Sequence, residues 1–290
     1  MSTDRPVGLI GLGLLGSAIG DRLRAAGYSV VGFDVDPRRR DEFTLAGGET
    51  VSRASQVPEN CRRIVLSLPT SDVVDQVLND IAPRLKPGDL IIDTTTGAPE
   101  DSEQVGESLA KRGVGYVDAT VAGSSRQVRA GDVVVMAGGS DRDIAAARDV
   151  LNTFARTVFA VGPCGSGARM KLAVNLVLGL HRAVLAEGLA FARACGLDPR
   201  QTLEILKSGP AASRVMDIKG ERMLTGDFAP EARLAQHLKD VRLILDAGHH
   251  SAARLPFSEL HAELLQTLVD QGWGDFDNSA VLRAFESHDE

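Results

Sequence analysis

Three glycines near the amino terminus have the spacing of a phosphate-binding turn. The pattern G-x-G-x-x-G follows the apolar run at residues 7–10 directly. In such a turn the first glycine permits a tight bend, the second lets the backbone approach a pyrophosphate, and the third lets a helix pack against a strand. The phosphates would meet free N–H groups at the positive end of the helix dipole. The candidate dinucleotide-binding residues of this turn are Gly11, Gly13, Leu14, Leu15 and Gly16.

An acidic residue, Asp34, stands directly after the second apolar run, at residues 30–33. At that position an acid can accept hydrogen bonds from the ribose hydroxyls of NAD and would repel the 2′-phosphate of NADP. The arginines at 38–40 lie just beyond and would either attract a 2′-phosphate or form the solvated start of a helix. We therefore expect NAD as the cofactor, with NADP less favoured. The structural alternative is a packing turn without a ligand.

A lysine and an asparagine, Lys171 and Asn175, follow a glycine-rich turn at residues 162–167. Four residues apart, they would share one face of a helix. A lysine in a partly desolvated cleft can have a lowered pKa and transfer a proton near neutral pH. The amide of the asparagine would hold a substrate oxygen in position for that transfer. The alternative is a lysine that faces solvent. The glycines and the position between two predicted domains, where ligand clefts tend to form, favour a catalytic role.

The first half of the chain alternates apolar runs with helix-like segments. Uninterrupted apolar runs are typical of strands buried on both faces of a parallel sheet. We therefore predict an α/β domain at residues 1–162, a Rossmann-type doubly wound parallel sheet. The predicted strands are 7–10, 30–33, 64–68, 90–92, 133–136 and 158–161, and the predicted helices are 16–26, 71–85, 99–112 and 142–153.

The second half of the chain has a helical pattern throughout. No strong turn signal interrupts residues 167–195, so at about 1.5 Å per residue this helix would be near 40 Å long. We predict an all-α domain at residues 163–290, built around this one long central helix. Further helices are predicted at 199–207, 229–247, 256–271 and 279–286. Small residues that would let another helix approach the long helix closely are Gly179, Ala183, Ala186 and Ala190.

Composition excludes several classes of protein. The 290 residues are 43% hydrophobic and 24% charged, which is typical of a globular protein. The net charge is −7 without a basic stripe, which excludes a nucleic-acid partner. No run reaches the roughly 18 uninterrupted apolar residues of a membrane span. The three separated cysteines suggest a reducing compartment, and the six histidines lack the spacing of a metal site. We expect a soluble, cytoplasmic protein without a bound metal.

The chain resembles the β-hydroxyacid dehydrogenase family, which includes 3-hydroxyisobutyrate dehydrogenase and tartronate semialdehyde reductase and is related to 6-phosphogluconate dehydrogenase. The most specific motif, G-x-x-G-x-G-x-x-x-K-x-x-x-N, is complete at residues 162–175, and the resemblance continues to Lys239-Asp240. It implies that Lys171 is the catalytic acid/base and Asn175 its partner. It also implies a lysine, Lys239, that closes over the nicotinamide and the substrate. Further cofactor contacts implied by the resemblance are Leu68, Pro69 and Thr96.

The family's substrate loop, Asp-Ala-Pro-Val-Ser-Gly-Gly, is altered in this chain. Thr120 replaces the proline, Ala122 the serine and Ser124 the second glycine. Hydroxyl groups are still present but shifted, so an anionic substrate remains the expectation. Arg126 and Arg129 either add positive charge for that substrate or are solvated loop residues. The substrate-binding residues implied are Ala122, Gly123, Ser124, Ser125, Lys171, Asn175 and Lys239.

These patterns predict an oxidoreductase that reversibly oxidises the primary alcohol of a small 3-hydroxy acid to its semialdehyde with NAD. The resemblance implies a homodimer or homotetramer. Two alternatives remain open: an imine reductase-like enzyme, and a nucleotide-sensing binding protein without turnover. The intact Lys171 argues against both. Trp273, the single tryptophan, is expected to be a core or lid residue, and a contact with the active site stays open.

Overall fold

The computed structural model describes residues 6–286, which form two compact units that divide between Lys171 and Leu172. The first unit contains a sheet with its covering helices, and the second is helical. Helix α8, Ser166–Ala194, begins in the first unit and continues into the second.

Eight strands form one sheet in the first unit, in the spatial order β3-β2-β1-β4-β5-β6-β7-β8. The strands are β1 Val7–Ile10, β2 Val30–Phe33, β3 Glu49–Thr50, β4 Arg63–Leu66, β5 Leu90–Asp93, β6 Gly115–Ala122, β7 Val133–Gly138 and β8 Ala155–Gly162. Neighbouring strands are parallel except β6 and β7, which are antiparallel. The predicted α/β fold is confirmed, with one departure. The connection between β6 and β7 is too short for the crossover of a dozen or more residues that a parallel pair needs.

Helices cover both faces of this sheet, because successive strand residues point to opposite sides. Leu9 and Val65 pack in one hydrophobic cluster with helices α1 and α7, whereas Ile10 and Leu66 pack in a second cluster with α4 and α5. The helices of the first unit are α1 Leu14–Ala25, α2 Pro37–Leu45, α3 Val57–Asn60, α4 Ser71–Ile81, α5 Pro99–Ala110, α6 Ser125–Ala130 and α7 Asp141–Leu151.

Strand β6 lies where the sequence analysis expected part of a substrate loop. Its apolar pattern is interrupted by Asp118 and Thr120, which are 2% and 0% exposed. Both side chains bind backbone groups near the start of α8, which compensates for the burial of their polar atoms. The loop prediction is therefore wrong for these two residues.

The second unit packs α8 with four more α-helices, a π-helical segment at Val269–Trp273 and a short terminal 3-10 helix, Asn278–Phe285. The four helices are α9 Pro199–Ser208, α10 Arg214–Thr225, α11 Leu234–His250 and α12 Pro256–Leu268. Helix α10 was not predicted, and α11 begins at Leu234 rather than at residue 229. The reason is Pro230, which disfavours helical backbone in the residue before it. In addition, the N–H groups of Glu231 and Ala232 donate to Asp277.

Helix α8 belongs to the core of the second unit, where Leu185, Ala186 and Leu189 are buried. Among residues 6–286 it is the one helix long and apolar enough to cross a membrane, judged by length and composition alone, a property that core helices of soluble proteins share. A Cβ atom on Gly179 would lie 2.7 Å from His237 Nε2 and 3.0 Å from His261 Cε1. Gly179 therefore lets α11 and α12 of the same chain approach α8 closely, as its small size predicted.

One buried carboxylate, Asp277, connects separate segments of the second unit. Its oxygens lie 2.9 Å from Lys219 Nζ and accept hydrogen bonds from the N–H groups of Glu231, Ala232 and Ser279. Burial raises the pKa of this carboxyl, but the hydrogen bonds from Lys219 and Ser279 outweigh that effect and lower the pKa to about 2. The ionised form is thus favoured in the folded protein.

We expect Asp277→Ala to lower the free energy of unfolding by about 3–5 kcal/mol. The buried Lys219 ammonium would lose its partner at 2.9 Å and keep the exposed Glu231 carboxylate at 3.6 Å. Denaturant unfolding at pH 7 measures this change. In the parent, the contribution of Asp277 is present at neutral pH and is lost as the pH falls from about 4 to about 2, since the folded pKa lies below the unfolded value. The control is Glu221→Ala, which breaks an exposed pair with Arg200. Equal effects of the two variants would contradict the prediction.

Candidate active site

The predicted cofactor residues of the first unit lie at one edge of the sheet, where the parallel strands end. Gly11 follows β1, Asp34 follows β2, Leu68 lies just beyond β4, and Thr96 lies just beyond β5. Strand β1 lies between β2 and β4, so the order of the strands reverses at this point. In open α/β sheets, ligands bind at the carboxyl ends of the strands next to such a reversal.

The glycine turn after β1 has no room for side chains at two of its positions. Gly11 has a φ of +96°, and a Cβ atom there would lie 2.2 Å from the carbonyl oxygen of Ser67. A Cβ atom on Gly16 would lie 1.9 Å from the Gly11 oxygen. These contacts bring the start of α1 against the ends of β1 and β4.

The first turn of α1 has the properties of an anion site. No side chain caps Gly13, and the turn contains no acidic residue. Its first N–H groups have no acceptor within the helix. Leu14 is 71% exposed, whereas Leu15 packs against the hydrophobic cluster. What this turn presents to a phosphate is therefore its backbone.

The carboxylate of Asp34 is attached to the glycine turn. It is 6% exposed, and Oδ2 accepts a hydrogen bond of 2.8 Å from Leu12 N–H, while Oδ1 accepts one of 2.9 Å from Asp36 N–H. The Arg39 guanidinium lies 3.5 Å from Oδ2. Asp34 is thus fixed in place before any ribose binds.

The three arginines after β2 have different surroundings. Arg38 pairs with Asp36, Arg40 donates to the Asp34 carbonyl oxygen, and Arg39 lies beside the glycine turn, 3.3 Å from where a Cβ atom on Gly13 would be. Arg38, which is 85% exposed, fits the expected solvated helix start better than Arg39 does. Of the three, Arg39 is therefore the arginine that lies next to both Asp34 and the glycine turn.

A cleft of about 320 Å³ adjoins this turn. Its lining residues include Gly13, Ser17, Asp21, Arg39 and Arg129. Arg129 donates to Asp21 Oδ2 at 3.0 Å and to Ser17 Oγ at 3.2 Å. The Arg129 guanidinium thus lies along α1 beside this cleft, and both Arg129 and Arg126 are exposed.

The segments after β4 and β5 are joined by a hydrogen bond of 3.2 Å from Leu68 N–H to Thr95 Oγ1. The Leu68 side chain lies against the glycine turn, Pro69 is exposed and Thr96 is half-buried. Asp93, at the end of β5, accepts bonds of 2.9 Å from both Thr95 N–H and the Tyr116 hydroxyl. Burial raises the pKa of Asp93 to about 6, although these hydrogen bonds oppose the rise.

The carboxyl half of β6 contacts the turn that precedes α8 and the first residues of that helix. Asp118 Oδ1 accepts from Gly165 N–H at 3.0 Å, and Oδ2 accepts from Ala168 N–H at 2.9 Å. The Thr120 hydroxyl donates to the Gly167 carbonyl oxygen at 2.8 Å. Burial raises the pKa of Asp118, and the bonds from Ala168 and Gly165 oppose that rise. Both side chains are thus bound to backbone groups at the start of α8.

The rest of the altered loop leads into α6. Ala122 ends β6, and Gly123 is exposed. The Ser124 hydroxyl caps α6, accepting from Gln127 N–H at 3.3 Å, while Gln127 Oε1 accepts from Ser124 N–H at 3.0 Å. Ser125 is the first residue of α6 and is partly exposed. The hydroxyl of Ser124 is therefore engaged within the loop itself.

Helix α8 carries Lys171 and Asn175 one turn apart. Lys171 is half-buried, and Asn175 is 7% exposed. In the second unit, Asn175 Nδ2 donates to Asp240 Oδ2 at 3.0 Å, and Lys239 Nζ lies 3.6 Å from Asp240 Oδ1. Asp240 thus orients the amide that was predicted to hold the substrate. No role was predicted for Asp240 from the sequence, although its position directly after Lys239 was the available signal.

Trp273 is partly buried and packs against the core of the second unit. Its ring lies 6.2 Å from that of Phe228 and 4.9 Å from that of Phe276, and the Arg283 guanidinium stacks over it. Within the part of the chain that the structure describes, no group of three or more His, Cys, Asp or Glu side chains could hold a metal ion.

Two family models cover most of the chain. Residues 6–162 match the NAD-binding domain of 6-phosphogluconate dehydrogenase, and residues 165–285 match the NAD-binding domain of NADP-dependent 3-hydroxyisobutyrate dehydrogenase. The chain is 28% identical to the L-threonate dehydrogenase of Cupriavidus necator, covering 97% of this chain and 96% of that one. It is 29% identical to the 2-hydroxy-3-oxopropionate reductase of Escherichia coli, covering 97% of this chain and 97% of that one.

Solved structures agree with these matches. The 3-hydroxyisobutyrate dehydrogenase of Salmonella typhimurium superimposes with a TM-score of 0.89 at 25% identity, covering 97% of this chain and 99% of that one. An imine reductase from Pseudomonas sp. shares the fold at a TM-score of 0.66 and 21% identity, covering 98% of this chain and 100% of that one. Both domain matches and the hydroxyacid dehydrogenases among the relatives indicate the same family. The chain belongs to the β-hydroxyacid dehydrogenase family of oxidoreductases.

Proposed function

We propose that this protein reversibly oxidises the primary alcohol of a small 3-hydroxy acid to its semialdehyde with NAD. The observation that carries the proposal is Lys171 on α8, one turn before an asparagine whose amide is oriented by Asp240. The L-threonate dehydrogenase and 2-hydroxy-3-oxopropionate reductase among the relatives support a hydroxyacid substrate.

The residues of this chain bind, orient and move a proton. Bound NAD supplies the hydride acceptor. The N–H groups at the start of α1 bind its pyrophosphate, and Asp34 accepts from the adenosine ribose. In the oxidation direction, neutral Lys171 takes the hydroxyl proton of the substrate, and in reduction it returns that proton. With cofactor and substrate bound, Asn175 would hold the substrate oxygen, and Lys239 would contact the nicotinamide and the substrate as the family resemblance implies.

The acid group of the substrate is proposed to bind the segment at residues 122–125. Because the Ser124 hydroxyl is bonded to Gln127, Ser125 and the backbone of Ala122 and Gly123 are the groups that can bind a carboxylate there. This segment differs from the family's Ser-Gly-Gly, so we propose a small anionic acid that is not one of the family's usual substrates. A panel of small 3-hydroxy acids, with sulfonate and phosphonate analogues, would identify it.

We also propose a homodimer or homotetramer. Val177, Val184 and Phe191 recur every seven residues on α8 and are 50%, 66% and 69% exposed. A row of large apolar side chains at this spacing forms one stripe along a helix. These residues, rather than Gly179 and Ala186, are the ones that would meet a second subunit.

Replacing Lys171 by methionine tests the proposed chemistry. Lys171→Met keeps most of the stem but cannot carry a proton, so kcat should fall by about 10²–10⁴-fold. NADH should still bind, because the glycine turn and Asp34 are unchanged. Steady-state kinetics on the best acid of the panel, with NADH fluorescence titration, measures both. Lys111→Met, an exposed lysine after α5, is the control.

Turnover of the Lys171→Met variant within a few-fold of the parent would contradict the proposal. A parent that binds NADH tightly but oxidises no hydroxy acid and reduces no imine would favour the nucleotide-sensing alternative. An imine reductase would show turnover with imines alone.

The choice of cofactor is expected to depend on Asp34. The parent should have a higher kcat/KM with NAD than with NADP, because a carboxylate at this place repels a 2′-phosphate. Asp34→Ala should narrow the difference in kcat/KM between NAD and NADP, because Arg39 remains to attract the 2′-phosphate. The exposed Asp41→Ala, which removes the same charge from α2, should leave the preference unchanged. A parent that works better with NADP would overturn the expectation.

A further inference from the structure

We propose that Asp118 and Thr120 are positioning residues that set the place of Lys171 by holding the first turn of α8 against the sheet. The inference rests on the proposed role of Lys171. It assigns a function in catalysis to two buried side chains whose oxygen atoms are bound to backbone groups.

The two side chains belong to one face of β6, because they are two residues apart on a strand. Asp118 accepts from the N–H groups of Gly165 and Ala168, at 3.0 and 2.9 Å, and Thr120 donates to the Gly167 carbonyl oxygen at 2.8 Å. The first N–H groups of a helix otherwise have no acceptor, and a negative charge there is favourable. Strand β6 thus binds two N–H donors of this turn, those of Gly165 and Ala168, and one acceptor, the Gly167 carbonyl oxygen.

The glycines of the turn bring main chain against main chain. A Cβ atom on Gly167 would lie 2.2 Å from the Asp118 carbonyl oxygen and 2.7 Å from that of Met136. A Cβ atom on Gly138 would lie 2.8 Å from Gly167 N. Gly165 has a φ of +87°, which favours glycine. The turn therefore approaches the main chain of β6 and β7 closely, and the side chains of Asp118 and Thr120 hold it there by hydrogen bonds.

Lys171 is the next turn of the same helix, since α8 rises about 5.4 Å per turn. A shift of the first turn is carried to Lys171 with little loss, because a helix is stiff over one turn. General acid–base transfer needs heavy atoms within about 2.6–3.2 Å, and a misplacement of about 1 Å can cost about 10²-fold in rate. The hydrogen bonds of β6 thus act on kcat through the position of the lysine.

Thr120 makes part of this arrangement specific to the present chain. The family pattern has a proline at this position, which has no hydroxyl to donate. The threonine hydroxyl is completely buried and lies 3.4 Å from the Met136 carbonyl oxygen as well. Its replacement is therefore a direct test of whether this bond contributes to catalysis.

The decisive variant is Thr120→Val, which keeps the shape and removes the hydroxyl. We expect kcat per NADH-binding site to fall by roughly tenfold, with the KM for NAD unchanged, because the lysine moves by a fraction of the roughly 1 Å that costs about 10²-fold. Thr120→Ser should restore kcat to near the parent value. Asp118→Asn, which turns an amide donor toward one of two N–H groups, should lower kcat further.

The matched control is Thr153→Val, which removes a hydroxyl that donates to the Val150 carbonyl oxygen at the end of α7. Thr153→Val should lower the melting temperature by about as much as Thr120→Val does, but it should leave kcat unchanged. The comparison separates an effect on the position of Lys171 from a loss of folded protein. If Thr120→Val keeps kcat within twofold of this control, the positioning role is wrong. If Lys171→Met stays active, the proposed function fails instead. Loss of kcat in Lys171→Met alone overturns only the role of Asp118 and Thr120.

Discussion

The close approach of main chain to main chain at the edge of the sheet is the constraint on which the site depends. It occurs at Gly11 and Gly16, beside the end of β4, and again at Gly167, against β6 and β7. At each place a single Cβ atom would collide with a carbonyl oxygen. Side chains are excluded there, and two helix starts are brought to the ends of the strands.

Polar side chains at the same edge of the sheet form hydrogen bonds with these two helix starts. Asp34 is bonded to Leu12 in the first turn, and Asp118 is bonded to Gly165 in the second. The two carboxylates play different parts in our account. Asp34 is proposed to meet the cofactor directly, whereas Asp118 is buried and acts through α8 on the position of Lys171.

The sequence predicted what depends on local pattern, and it failed where tertiary contacts decide. Apolar runs and glycine spacing predicted six of the eight strands and the turn at Gly11. Strand β6 was missed because Asp118 and Thr120 look like loop residues until their partners in α8 are known. The orientation of Asn175 by Asp240 joins residues far apart in the chain, which no spacing rule reveals. The Ser124 hydroxyl likewise looked available for substrate until its bonds with Gln127 were seen.

The central claim is that Lys171 accepts the substrate proton, and the pH dependence of kcat/KM in the oxidation direction tests it most directly. For the parent enzyme we expect the rate to rise with pH as one essential group loses its proton. In Lys171→Met that rise should disappear from the residual activity. A rise that persists unchanged in Lys171→Met would assign the proton transfer to another group and contradict the account.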